Sequence, residues 1–319
     1  MSGTFRSPRG SDAAEPDLPT LLKGLAFGLG AATLTAGWMV FTRLGVQASL
    51  SVADMTMMRY GVAGLLLLPV VLRKGFDIGP RGWLGIAIMT VGAGAPYHLL
   101  ATAGVVFAPA RHAGALIPGT MPFWATLLGV LFLGERLTSR RSAGLGLIFV
   151  GFLLIGGLSL LFPEGQQSLG HAMFLGASFV WAAFAVAMRR WGVGAMHAVA
   201  IVSVISAVLY LPPYFLWFAD RLWSAPPGEL AFQAFYQGAA MGVVSTLCFS
   251  RAIGLLGAGR GAAIMAMVPV LATLLAIPVL DEWPTAADCI AIAAICAGVL
   301  LATGARLRAR PPAVPPSPA

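Results

Sequence analysis

The side chains able to do chemistry in this 319-residue chain are few: four histidines, three cysteines and twelve carboxylates. Their spacing offers no catalytic set. There is no HExxH pair, no CxxC, no serine-nucleophile motif and no pair of acids in the middle of one apolar run. Cys248, Cys289 and Cys296 lie inside apolar runs and read as small buried hydrophobes, which argues against a disulfide framework and against zinc. No metal or cofactor is expected, and an enzyme acting on lipid or peptide is disfavoured. His98 stands out because it is the one histidine well inside an apolar run, with Tyr97 beside it. An imidazole there titrates near neutral pH or orients a polar ligand. The same run carries Gly92, Gly94 and Pro96, an interruption that admits a close neighbour and turns a carbonyl toward a cavity. The other three histidines are scattered along the chain.

Around His98 the sequence supplies other groups suited to holding a small polar molecule. Trp38, Trp124 and Trp181 are rings inside apolar runs, able to wall a cavity or simply to pack. Thr33, Thr35, Thr120, Ser178, Ser245 and Thr246 are expected to face the same space. Arg59 falls within a run, near the outer face. It is expected to snorkel outward or meet a partner, and if it reached a cavity it would favour a substrate carboxylate. Glu135 and Glu282 end two runs, where the helix dipole disfavours an anion, so a local partner should hold each. Both read as structural carboxylates, with Thr138 and Thr285 as N-caps and Thr285-x-x-Asp288 as a capping box. Pro118, Pro122, Pro269 and Pro278 are candidate hinges.

The elements that position these residues follow from composition. Only 10% of the residues are charged and 58% are apolar, with a mean hydropathy of +0.86, far outside the range of soluble domains. Ten runs are long enough to cross a bilayer: 21–41, 55–72, 83–103, 113–133, 143–161, 171–188, 198–219, 230–252, 262–280 and 286–302. The first is read as an uncleaved helix rather than a leader. Residues 1–20 and 305–319, rich in Pro, Ser, Gly and charge, are expected to be disordered tails. Of the twenty Lys and Arg residues, sixteen fall on one side of the runs; Arg43, Arg111 and Arg221 fall on the other, and Arg59 lies within a run. That asymmetry places both ends of the chain in the cytoplasm. The net charge of +8 is thereby explained by topology and anionic lipid, with no nucleic-acid partner.

The stretch from Pro122 to Thr138 returns 147 positions later from Pro269 to Thr285, with Pro122/Pro269, Thr126/Thr273, Glu135/Glu282 and Thr138/Thr285 in one register. Arg43 and Arg189 match at an offset of 146, and His98 corresponds to Ser245. A repeat that holds five spans starts its second copy from the opposite membrane face, so the halves are inverted: 21–162 and 163–304. An all-α integral membrane protein of ten transmembrane helices, arranged as two inverted five-helix repeats, is the expected fold.

The run Pro122-x-x-Ala-x-Leu-Leu-Gly-x-Leu-Phe-Leu-Gly-Glu135-Arg-Leu-Thr138, its weaker echo at Pro269–Thr285 and the span count resemble the EamA family of the drug/metabolite transporter superfamily. The resemblance implies an inner-membrane carrier, often an exporter of amino acids and related metabolites, with both termini cytoplasmic and a cavity between helices 1, 3, 4, 6, 8 and 9. On this reading Tyr97, His98, Trp181, Trp38, Thr35, Thr120, Ser178, Ser245 and Thr246 bind substrate, and Pro122, Glu135, Pro269 and Glu282 are structural motif residues. The expected partners are a small-molecule substrate and the lipid bilayer, with the chain a monomer or a homodimer. A non-transporting assembly subunit, or a carrier of nucleosides or cationic drugs, is the alternative.

Overall fold

The computed structural model describes residues 17–76, 82–135, 137–157 and 166–303. The expected tails lie outside these residues, except for 17–20, where the first helix already begins at Leu18. Arg6, Arg9, Arg81, Arg136, Arg306, Arg308 and Arg310 also lie outside them.

Among the described residues every regular element is helical. In a bilayer this is forced, because backbone N–H and C=O groups find no water and must bond within their own segment. The elements are α1 (Leu18–Ala48), α2 (Val52–Lys74), α3 (Gly82–Ala93, then Ala95–Phe107), α4 (Ala110–Leu133) and α5 (Ser139–Phe152, continued by a π turn, Leu153–Gly157). There follow α6 (Gln167–Trp191), α7 (Ala195–Trp217), α8 (Pro227–Gln233, a π-helical stretch Ala234–Val244, then Ser245–Leu256), α9 (Ala258–Met265, then Val268–Leu280) and α10 (Ala286–Ala302). Eight of these are long and apolar enough to span a membrane; α10 has 17 residues, and the run expected over 143–161 is described only as far as Gly157.

Local chemistry sets the boundaries. Ser51 accepts from the N–H of Asp54, whose carboxylate accepts in return from the N–H of Ser51, a complete capping box for α2. Thr285 and Asp288 form the same box at α10, and Thr138 caps α5, as the sequence implies. Gly134 closes α4 in the left-handed conformation, at φ 66°. Its repeat counterpart closing α9 is Asp281, at φ 54°, the one non-glycine residue with positive φ among those described. Ser51→Ala and Thr285→Ala should each lower stability by about 1 kcal/mol, read by thermal unfolding in detergent. Thr138→Ala, which breaks no reciprocal bond, should cost less.

The prolines divide. Pro118 and Pro122 lie inside α4 and Pro278 inside α9, but Pro269 occupies the first turn of Val268–Leu280, where no intrahelical donor is lost. The interruption in α9 is instead the turn at residues 266–267 just before it. In α3 the break falls at Gly94, within the Gly/Pro cluster singled out from the sequence.

Helices meet in pairs. α1 lies along α8 and α9, whereas α6 lies along α3 and α4; α2 packs on α7, α4 on α9 and α5 on α10. Small residues make these contacts close, as expected where lipid is as apolar as the interior and only packing favours association. A side-chain carbon added to Gly92 would come 2.7 Å from Val180 O, and one at Gly64 would come 3.1 Å from Ser203 O.

Candidate functional site

The interior of the bundle gathers a cluster of polar and aromatic side chains around His98. The break at Gly94 puts Tyr97 and His98 in the first turn of the second segment of α3, both buried. Trp38 of α1 lies against both, with ring centroids 5.9 Å from Tyr97 and 5.5 Å from His98, and Tyr97 meets Trp181 of α6 at 4.8 Å. Four residues chosen from the sequence thus form one continuous wall contributed by both halves.

His98 is fixed on both nitrogens. The Trp38 indole N–H lies 3.4 Å from Nε2, while Thr56 Oγ1 and Thr102 Oγ1 lie 3.0 Å and 3.3 Å from Nδ1. Because the indole can only donate, Nε2 accepts and the ring proton sits on Nδ1. The hydroxyl of Thr56 donates to Val52 O and is free to accept that proton's hydrogen bond. His98 therefore holds Trp38 in place.

Four of the expected hydroxyl residues come together as two pairs that join the halves: Thr35 with Ser245 at 3.4 Å, and Thr120 with Ser178 at 2.9 Å. Thr246 is half-buried in α8 and makes no hydrogen bond among the described residues. Thr33 is exposed on α1. Trp124 packs edge-on against Phe123 and Phe179, away from the His98 cluster.

Of the courses open to Arg59, the structure takes the inward one, where it meets partners. It does not snorkel outward: it is only 8% exposed, its guanidinium carbon lies 5.4 Å from the centre of the Trp38 ring, and one nitrogen lies 3.4 Å from the backbone oxygen of Gln237. No carboxylate pairs with it among the described residues. An arginine in hydrocarbon costs about 2.5–3.5 kcal/mol, so a buried one without an acid marks a functional position. Tyr60, Tyr97 and Gln237 complete its surroundings, and Gln237 belongs to the π-helical stretch of α8. Such irregular turns often lie at sites. Tyr60 and Gln237 were missed in the sequence; the signal that could have found them is the recurrence of polar residues on one buried side, Asp54, Thr56, Arg59 and Tyr60 in α2 and Gln233 and Gln237 in α8.

The scattered histidines are also corrected by the fold. His112 and His171 approach to 3.0 Å, and His112 lies 3.0 Å from Asp288, so three titratable groups far apart in the chain form one buried row. Beside it Glu282 meets Arg43 at 2.6 Å, a charge contact whose N–H is not aligned along it, and Arg111 at 3.7 Å. Arg111 also binds Asp288 at 3.1 Å, and Arg43 donates to the last carbonyls of α3, Val105 O and Ala108 O. Glu135 has the equivalent arrangement, bound to Arg141 at 2.9 Å and Arg189 at 3.2 Å. Each motif glutamate does have the partner the sequence demanded: Glu282 takes its shortest contact from Arg43 of the other half, whereas Glu135 takes its shortest from Arg141 of its own half and a longer one from Arg189 of the other. Glu282 accepts from the N–H groups of Ala110 and Arg111 at the start of α4, whereas Glu135 follows the end of α4, 24 residues or roughly 36 Å away.

A cavity of about 590 Å³ lies at the Arg43 end, lined by Val46, Leu50, Val106, Trp217, Phe218 and Asp220. It sits at the helix ends rather than at the mid-depth expected for the shared pocket.

The EamA-like transporter family pattern matches residues 22–157 and again 168–304. Comparison with curated proteins gives no match. Sixteen solved chains are similar; one, a crystal structure, is 23% identical with a TM-score of 0.60, covering 88% of this chain and 96% of that one, a likeness that bears on fold alone. Members of the matched family are membrane transporters rather than enzymes, and a multi-pass bundle in which each copy of the pattern supplies half of one buried polar cluster is built accordingly: this chain belongs to the EamA-like transporter family, within the drug/metabolite transporter superfamily.

Proposed function

We propose that this protein is a secondary carrier of a small polar metabolite of the amino-acid-like class. It exposes one central site to each side of the inner membrane in turn and works chiefly as an exporter, with ten helices crossing as two inverted halves and both termini cytoplasmic. The observation that carries this reading is the crossed pairing of repeat-equivalent charges. Arg43 of the first half holds Glu282 of the second, Arg189 of the second holds Glu135 of the first, and the two pairs lie at opposite ends of α4. Two interchangeable rim contacts, one per face, are what an inverted-repeat carrier needs if opening one side is to be matched by closing the other. Pairing of Arg43 and Arg111 with Glu282 and Asp288 also supports cytoplasmic termini, because it neutralises two of the three cations assigned to the outer side.

A purely structural subunit would fill the space between the halves with aliphatic side chains. The interior at His98, Trp38, Tyr97 and Arg59 is instead polar and aromatic. Reporter fusions after Glu135 and after Glu282 are expected to read opposite compartments; the same compartment for both would remove the inverted arrangement. Cells overexpressing the protein should tolerate raised concentrations of its cargo, and Trp38→Ala or Tyr97→Ala should abolish that tolerance.

A further inference from the structure

We infer that the central site takes a carboxylate whose net charge is −1, with Arg59 as the group that binds it. This narrows the carrier reading above, on which it rests, to those amino-acid-like molecules that keep the carboxylate but carry no ammonium group. The argument is one of charge balance in a low-dielectric interior. Arg59 has five N–H donors, and the one backbone acceptor placed near it, Gln237 O, is a long 3.4 Å away. Its remaining support is uncharged: the face of Trp38, the hydroxyl of Tyr60 and the nearby Tyr97. Those groups attract a cation without neutralising it.

The acids among the described residues lie elsewhere. Asp54, five residues earlier on α2, is held by Ser51 and by the hydroxyl of Tyr214 at 2.5 Å; Glu135, Glu282 and Asp288 sit in the rim clusters; Glu229 receives Ser49. Asp17, Asp220 and Asp281 lie at helix ends. A monoanion brings the buried site to neutrality, and its carboxylate suits the bidentate guanidinium fork. A zwitterion would leave one positive charge uncompensated, and a cation would leave two. The side-chain oxygen of Gln237 is buried without an aligned hydrogen bond, the His98 ring lying beside that side chain, so a hydroxyl beside the carboxylate is favoured as well. Trp38, Tyr97 and Trp181 supply the wall for an apolar body.

Two matched sets test this by tryptophan fluorescence and thermal shift on the full chain in detergent. One is 3-phenyllactate, 3-phenylpropionate, phenylalanine and phenylalaninamide; the other is lactate, propionate, alanine and alaninamide. Within at least one set the anions should bind ten-fold or more tightly than the zwitterion, with the amide weakest and the hydroxy acid ahead of the plain acid. Arg59→Gln should erase the preference while melting no lower than the wild type, since it removes an unpaired buried charge. Arg59→Lys should retain the preference at reduced affinity. The inference is overturned if the zwitterion or the cation binds as tightly as the anions, if no anion of either set binds, or if Arg59→Gln keeps the anion preference. Should Arg59→Gln fail to fold, the wild-type series and Arg59→Lys decide alone. Proteoliposome flux separates the two levels: anion binding without flux removes the carrier reading only, and flux indifferent to charge and to Arg59 removes this inference only.

Discussion

Replacing Glu282 by alanine is expected to lower stability by about 3–5 kcal/mol, the cost typical of removing one partner from a buried ion pair. The loss is large because Glu282 serves several groups at once. It compensates Arg43 and Arg111 and accepts from two backbone N–H groups that open α4 and otherwise have no partner. Its side chain is 10% exposed, and those of Arg43 and Arg111 are 18% and 14% exposed, so water does little to screen the change.

The comparison that decides the matter is Glu135→Ala. There the glutamate is 25% exposed and Arg189 49% exposed, and the expected loss is under about 1 kcal/mol. Removing Arg43 as well, as Arg43→Met with Glu282→Ala, should recover part of the stability, although its bonds to Val105 O and Ala108 O are then lost too. If this rim holds one face shut, the same variant should let a polar thiol reagent reach cysteines placed near Val46 and Leu50. A shift of 3 kcal/mol corresponds to more than a hundredfold change in population. Equal effects at 282 and 135 would show that burial does not distinguish the two rims.

The second large effect is expected at Gly144. A side-chain carbon there would stand 2.5 Å from Ala302 N and 2.7 Å from Gly298 O, and one on Gly298 would stand 2.6 Å from Gly144 O. These are backbone atoms of the facing helix, which cannot rotate aside. Gly144→Val must therefore push α5 and α10 apart, at a cost of about 1–3 kcal/mol or more. It falls on the shortest apolar helix, α10, whose main neighbour is α5. Gly146→Ala is the control: nothing lies within 4 Å of the added carbon, and exchange of glycine for alanine within a helix should stabilise by about 0.5–1 kcal/mol. Melting temperature and the yield of monodisperse protein should fall for the first and hold or rise for the second.

The helix ends were the most legible part of the fold, because they depend on neighbours in the chain. Ser51–Asp54 and Thr285–Asp288 are capping boxes whichever helices pack beside them. The break at Gly94 followed from Gly and Pro crowding, and the need for partners at Glu135 and Glu282 followed from their place beyond helix C-termini. Of the site, the wall of Trp38, Tyr97, His98 and Trp181 was legible as to residue, through aromatic and polar types inside apolar runs. The direction in which Arg59 points was not. A mark was present all the same: Asp54, Thr56, Arg59 and Tyr60 share the buried side of α2, whereas Leu65, Leu66, Leu68 and Leu72 are exposed, so the polar residues at helical spacing were the signal that could have placed position 59.

By itself, the sequence determined the membrane class, the approximate spans, the internal repeat and the capping residues, because hydropathy, charge asymmetry and N-cap chemistry act over stretches of at most a few turns. Only the tertiary structure decided that Arg43 meets Glu282 and Arg189 meets Glu135, that His112, His171 and Asp288 form a row, and that Arg59 turns inward over Trp38 without an acid. Those juxtapositions join residues as much as 239 positions apart, as between Arg43 and Glu282. They depend on the register in which one half slides into the other, and that register is set by close-packed glycines and by buried charges that must find partners.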